Sequence, residues 1–232
     1  MIFPFEEAIF NAHGRRFATY VGHPLLDGLE VSRDRVATRR VHGFSDAQSL
    51  LVLMPGSRRS EVRLLLPAML RAAERLKRDG WQVALVQAPT VPESYLRHVA
   101  GGRLPVPLIS GDTYNLLAAA DVGLIASGTA TLEAALLGCP PVIVYRFSWF
   151  TYLLARLAIG RRAIGLPNVV LGRAAFPELI QRQVQPARLV EAVCDLTSRS
   201  DQNRQLVAEL RSRMGTAGAS GRAADLMLEL LP

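Results

Sequence analysis

Ser49-Leu50-Leu51-Val52-Leu53-Met54-Pro55-Gly56-Ser57-Arg58-Arg59-Ser60-Glu61 joins an apolar run to a Pro-Gly turn, a hydroxyl and two arginines. The run is apolar throughout rather than alternating. Strands buried on both faces read this way, as in a parallel sheet. The next segment has helical spacing. Val62, Leu65, Leu66, Met69, Leu70, Ala73 and Leu76 fall on one face of residues 59–78, and Gly80 stops the pattern. A buried strand that turns tightly into an amphipathic helix is the first half of a β-α-β unit.

Outward from this segment the same kind of run recurs at residues 82–87, 106–109, 122–126 and 141–145. Short helical patterns at 113–120 and 129–137, the second closed by Gly138, lie between them. This order predicts right-handed crossovers and an α/β fold, a Rossmann-like doubly wound parallel sheet. After Tyr145 the spacing predicts helices alone, at about 149–159, 176–181, 186–198, 201–214 and 221–230. The first 45 residues fit the sheet poorly. Residues 3–10 and 17–21 read as short fragments, the tail of something begun earlier, and His23 comes after the second of them as if after a strand.

Composition agrees with a soluble globular α/β protein: 232 residues, 50% hydrophobic, 20% charged and only 6% aromatic. The net charge of +7 attracts anions, whether nucleic acid, anionic lipid or phosphorylated small molecules, or is a solvated surface. No basic block interleaved with aromatics and no helix-turn-helix punctuation supports nucleic acid as a partner. Cys139 and Cys194 lie in apolar stretches and read as buried free thiols. No Cys/His spacing points to a metal. The start lacks the basic and apolar regions of a signal peptide, and no charge-free stretch is long enough for a spanning helix.

In an open parallel sheet, ligands bind beyond the carboxyl ends of the strands. Two strand ends carry turns suited to phosphate. In the first, Gly56 lets backbone approach a ligand, Ser57 caps the helix or contacts phosphate, and Arg58 can fork onto an anionic oxygen. The plain alternative is a strand-to-helix turn with Ser57 as N-cap and Glu61 in the first turn. The second is Ala126-Ser127-Gly128-Thr129-Ala130-Thr131-Leu132-Glu133. Its helix end offers free N–H groups and a positive dipole to a diphosphate, and Glu133, one turn in, suits ribose hydroxyls. Otherwise Ser127 or Thr129 caps the helix and Glu133 complements its dipole. Neither turn is a GxGxxG or a P-loop lysine motif, which disfavours nicotinamide dehydrogenases and P-loop NTPases. Two anion-suited turns on one sheet fit a sugar-nucleotide site.

These motifs, with Pro4-Phe5-Glu6, Val21-Gly22-His23-Pro24, Val144-Tyr145-Arg146 and Leu166-Pro167-Asn168, occur in an order that resembles the lipid-A-disaccharide synthases, from about Phe3 to the C-terminus. The resemblance implies the C-terminal domain of a glycosyltransferase-B fold, with most of the N-terminal domain missing. It implies inverting, metal-independent transfer from UDP-2,3-diacylglucosamine to 2,3-diacylglucosamine 1-phosphate, with release of UDP and no cofactor. Gly56, Ser57, Arg58, Ser127, Gly128, Thr129, Glu133 and Asn168 would bind the donor. Arg146 could meet a phosphate or be a surface cation. His23 could serve a proton transfer or, as a lone turn histidine, a structural hydrogen bond. The general base is expected in the missing domain, so the chain alone is expected to be inactive. The implied organisation is a remnant of the N-terminal domain and linker at 1–20, a UDP-sugar-binding domain at 21–200 and C-terminal helices at 201–232. The implied location is cytoplasmic, peripheral on the inner membrane, with a homodimer as an option. Phe147, Trp149, Phe150 and Tyr152, edged by Arg146, Arg156, Arg161 and Arg162, suit either packing or an anionic lipid interface.

Overall fold

The computed structural model describes Glu7, Phe10, Asn11, residues 18–146 and residues 163–229. The apolar runs form β1 (Leu50–Met54), β2 (Gln82–Val86), β3 (Leu108–Ile109), β4 (Val122–Ala126) and β5 (Pro141–Tyr145), joined by β6 (Glu178–Ile180). Every pairing is parallel, in the order β3-β2-β1-β4-β5-β6. The helices among the described residues are α1 (Arg35–Val41), α2 (Arg59–Arg78), α3 (Glu93–Val99), α4 (Thr113–Ala119), α5 (Thr129–Leu136), α6 (Leu166–Leu171), α7 (Pro186–Ser198), α8 (Ser200–Met214) and α9 (Ala219–Leu228).

Side chains alternate across a strand, so a strand buried on both sides feeds two cores. Leu51, Leu53, Val83, Leu85, Val122 and Leu124 pack into one cluster with residues of α2, α7 and α8. Leu50, Val52, Ala84, Val86 and Ile125 pack into the other, with Leu116 and Leu117 of α4. The expected apolar face of α2 is buried in full, Leu70 being the least covered at 6% exposed. Each of its larger members contributes roughly 1.5–3 kcal/mol. That burial holds α2 together through Pro67, which removes one backbone donor from its interior.

Three helices have no counterpart in the expected order: α1, α3 and α6. The reason for α1 lies outside its own sequence. Arg39 is fully buried and donates to the carbonyls of Ala119, Ser45 and Gln48. Its guanidinium also pairs with Asp121 at 2.7 Å. Asp121 accepts from the Leu50 N–H at 2.7 Å and pairs with Arg35. One carboxylate thus ties α1 to the amino ends of β1 and β4. Burial opposes the charge on Asp121, but these donors outweigh it and hold the carboxyl below its ordinary value.

Other expectations are corrected. Strands do not end at Tyr145: residues 176–181, expected as helix, contain β6, whose Glu178, Leu179 and Ile180 pair with Ile143, Val144 and Tyr145. Six residues are too few to separate a helical from an edge-strand period, and the free edge of β5 decides. Residues 18–23 hold no strand, so His23 does not come after one. Instead His23 caps a 3-10 turn, Pro24–Asp27. Cys139 is buried as expected, but Cys194 is exposed on α7. The aromatic stretch at 147–159 lies outside the described residues.

Candidate functional site

The sheet order places the site. From β1 the chain winds outward through β2 and β3, then returns to β4 and winds the other way through β5 and β6. Neighbouring connections diverge between β1 and β4, and a crevice opens there at the carboxyl ends. Met54 is in register with Ile125, so the turn 55–58 and the turn 127–129 leave adjacent strands at the same edge. The structure brings the two expected turns together.

The first turn is built around Glu61. Its Oε2 accepts from the N–H groups of Ser57 (3.0 Å) and Arg58 (3.2 Å), and its Oε1 from Arg58 Nη1 (3.2 Å). The N-cap of α2 is Arg58, not Ser57. Gly56 has φ of 116°, and a Cβ there would stand 2.7 Å from Glu61 Cβ and strike its Oε2. Thr90 Oγ1 donates to the Ser57 carbonyl at 2.6 Å, and the Tyr95 hydroxyl to the Arg59 carbonyl at 3.0 Å. The Arg58 side chain is 76% exposed.

The second turn is open. Gly128 is the N-cap of α5, and no side chain among the described residues caps this helix end. Neither alternative cap forms: the Ser127 hydroxyl donates instead to the Ile164 carbonyl at 3.1 Å, and Thr129 is already the first residue of the helix. Gly128 and Thr129 are exposed, and nothing stands within 4 Å of where a Cβ on Gly128 would be. Uncapped N–H groups and the positive end of the helix dipole therefore face solvent.

Glu133, half-buried, lines a cleft of about 440 Å³ with Met54, Gln87, Asp112 and Tyr114. Burial raises its carboxyl above the ordinary range. Burial also raises the Tyr114 hydroxyl, and the charge of Glu133 adds to this. On the far wall Asp112 accepts from Asn115 Nδ2 (2.7 Å), contacts His42 Nε2 (2.6 Å) and pairs with Arg33. Burial works against the charge of Asp112; Asn115, His42 and Arg33 outweigh it and hold the carboxyl down. Reading the sequence missed this wall. Its one local signal was Asp112-Thr113 at a helix start.

Three expected residues serve the chain itself. Asn168 is fully buried: its Nδ2 donates to the Phe176 carbonyl and Glu178 Oε1, both at 2.8 Å, and its Oδ1 accepts from the Ala175 and Phe176 N–H groups. Glu178 also accepts from the N–H groups of Ile164 and Gly165. Arg146 donates to the carbonyls of Leu64, Gln181 and Val184, so it is not a surface cation. His23 Nδ1 accepts from the Leu25 N–H at 3.0 Å. A larger concavity, about 680 Å³ between α2 and residues 99–105, is lined by none of these residues.

Residues 1–226 match the family described as lipid-A-disaccharide synthetase. The lipid-A-disaccharide synthase of Syntrophus aciditrophicus (strain SB) is 39% identical over 238 residues, an alignment covering 100% of this chain and 62% of that protein. The chain thus spans less than two thirds of that relative's length. Among solved structures, a putative UDP-N-acetylglucosamine 2-epimerase from Listeria monocytogenes superimposes with a TM-score of 0.61 at 16% identity, over 99% of this chain and 59% of that one. WaaG, a glycosyltransferase involved in lipopolysaccharide biosynthesis, gives 0.54 at 19% identity, over 97% and 61%. At these identities the two structures speak for the fold alone.

Proposed function

The chain belongs to the lipid-A-disaccharide synthetase family, and from that membership we propose that it forms the donor half of a lipid A glycosyltransferase. The donor is UDP-2,3-diacylglucosamine and the acceptor 2,3-diacylglucosamine 1-phosphate. The acceptor hydroxyl attacks the anomeric carbon from the face opposite the leaving group. The bond from that carbon to the diphosphate oxygen breaks, and UDP departs with the negative charge. A general base takes the hydroxyl proton, and we assign it to the part of the relatives' length that this chain does not span.

What supports this reading is the adjacency of the two turns at the reversal of strand order. Arg58 stands at one side of the gap and the uncapped end of α5 at the other, where charge develops on the leaving diphosphate. In this reading Gly56, Ser57 and Arg58 shape and charge one wall, and Ser127, Gly128 and Thr129 the other. Glu133 accepts from the ribose hydroxyls, and Asn168 supports the site by holding residues 164–178. Acylated substrates would place the enzyme against a membrane surface, which the family resemblance assigns to the cytoplasmic face of the inner membrane. Among the described residues no helix is long and apolar enough to cross it.

The test is thermal melting of the chain with and without UDP. About 1 mM UDP should raise the melting temperature, since a ligand bound only to the folded state stabilises it. An unchanged melt would remove the nucleotide site. A second reading is UDP-sugar binding without turnover. Disaccharide formation from the two acylated glucosamines separates the two.

A further inference from the structure

Glu61 occupies the third position of α2 yet spends its carboxylate on the turn before the helix. Its side chain is 11% exposed, and its Oε2 accepts from both the Ser57 and the Arg58 N–H groups. The backbone donors of this turn best placed for an anion are thus already satisfied by a charge of the protein's own. Arg58, by contrast, gives only Nη1 to Glu61 and keeps most of its fork in solvent. Displacing the carboxylate would leave it unpaired beside a diphosphate, like charge against like charge. Leaving it in place avoids that repulsion and fixes the base of the Arg58 side chain.

Resting on the nucleotide reading above, we propose that Glu61 is a positioning residue of the donor site. It keeps both amides when the nucleotide binds, and it acts through Arg58, whose guanidinium is the anion contact on this side of the gap. The Ser57 and Arg58 N–H groups never serve the ligand.

The experiment is UDP titration calorimetry on the 232-residue chain and on Glu61→Gln, Glu61→Ala, Arg58→Ala and the double alanine variant. Glu61→Ala should weaken UDP by about tenfold, and Glu61→Gln, which still accepts both amide bonds, by less than about threefold. The double variant should bind within about twofold of Arg58→Ala alone, because a residue acting through Arg58 has nothing left to lose. A double variant showing the product of the two single losses would give Glu61 an independent role and overturn the proposal. Equal or tighter binding by Glu61→Ala would do the same, making the carboxylate a bystander or a competitor. Should Glu61→Ala not fold, as its melting curve would show, Glu61→Asp carries the cycle, its carboxylate one methylene short of the turn. Failure of the wild type to bind UDP overturns the nucleotide reading as well. Wild-type binding that is indifferent to Glu61 overturns this proposal alone.

Discussion

Met54 lies opposite Ile125 in the parallel ladder between β1 and β4. Gly56 and Ser127 each come two residues later, one on either side of the line where the chain reverses its travel across the sheet. Neighbouring strands run about 4.8 Å apart, so the exposed Arg58 and the open end of α5 border one gap. The chemistry on its two sides differs: a cation on one, uncapped amides and a half-buried carboxyl on the other.

The carboxyl gives a pH signature. Burial raises the Glu133 value in the folded chain above its ordinary 4.5, so its charged form is the costly one. Its contribution to stability is complete below the unfolded value and is lost as pH rises through the raised folded value. Ribose hydroxyls donating to Glu133 favour the charged form, so UDP should bind more tightly as pH rises through that window. Glu133→Gln should remove this share of the pH dependence and leave the slope of the UDP phosphate's own titration. Parallel profiles in wild type and variant, read by calorimetry from about pH 5 to 8, would take Glu133 out of the site.

Asn168 makes a different prediction. Asn168→Ala removes four hydrogen bonds from a fully buried amide and should cost about 2–4 kcal/mol of stability. Asn168→Asp should cost more at neutral pH, because it sets a second carboxylate against Glu178, and it should recover on acidification. Thermal melts at two pH values check both. An aspartate variant as stable as wild type at neutral pH would contradict the bonding described.

Asp121→Asn withdraws the counter-charge from an arginine that is fully buried. Removing one partner of a buried pair costs about 3 kcal/mol or more. In wild type the Asp121 carboxyl is held low, so its contribution is present above the unfolded value and fades as pH falls through the folded one. Chemical denaturation of the variant at neutral pH measures the loss, and a midpoint shift near zero would mean Arg39 finds other company.

Asp27 tethers α9. It accepts from the N–H groups of Gly218, Ala219 and Ser220 and from the Ser220 hydroxyl. Ser220 and Gly218 lead in pulling its carboxyl from 3.8 down to about 2. The tether therefore holds above the ordinary value and weakens as pH falls through about 2. At neutral pH Asp27→Asn should speed amide exchange in residues 219–228. Exchange unchanged there would show that α9 docks without this cap.

How far the sequence goes depends on where each signal sits. Runs such as 50–54 and 122–126 carry their own answer, because residues apolar on both faces belong in the middle of a parallel sheet. The face of α2 is equally local, seven apolar residues at helical spacing. The two turns were found because glycines, hydroxyls and charges crowd together just past those strands. What escaped depends on distant partners: α1 is fixed by Arg39 reaching Asp121, and β6 by the edge of β5. The Leu-Pro-Asn resemblance marks Asn168, and its place after β5 marks Arg146; the internal bonds both make connect segments too far apart in sequence for spacing to show. For Ser57 the sequence leaves open capping α2 or meeting phosphate; the cap falls one residue later, at Arg58, and Glu61 reaches back to the Ser57 N–H.

That reach back from Glu61 also limits how this protein can change. Any side chain at position 56 would press into the glutamate, and any shorter residue at 61 would leave the turn slack. Position 56 admits no side chain while Glu61 stands there, and position 61 admits only a residue as long as glutamate, so wider variation here must arrive as a matched pair. An engineer seeking a different anion grip would have to graft residues 56 to 61 as one cassette.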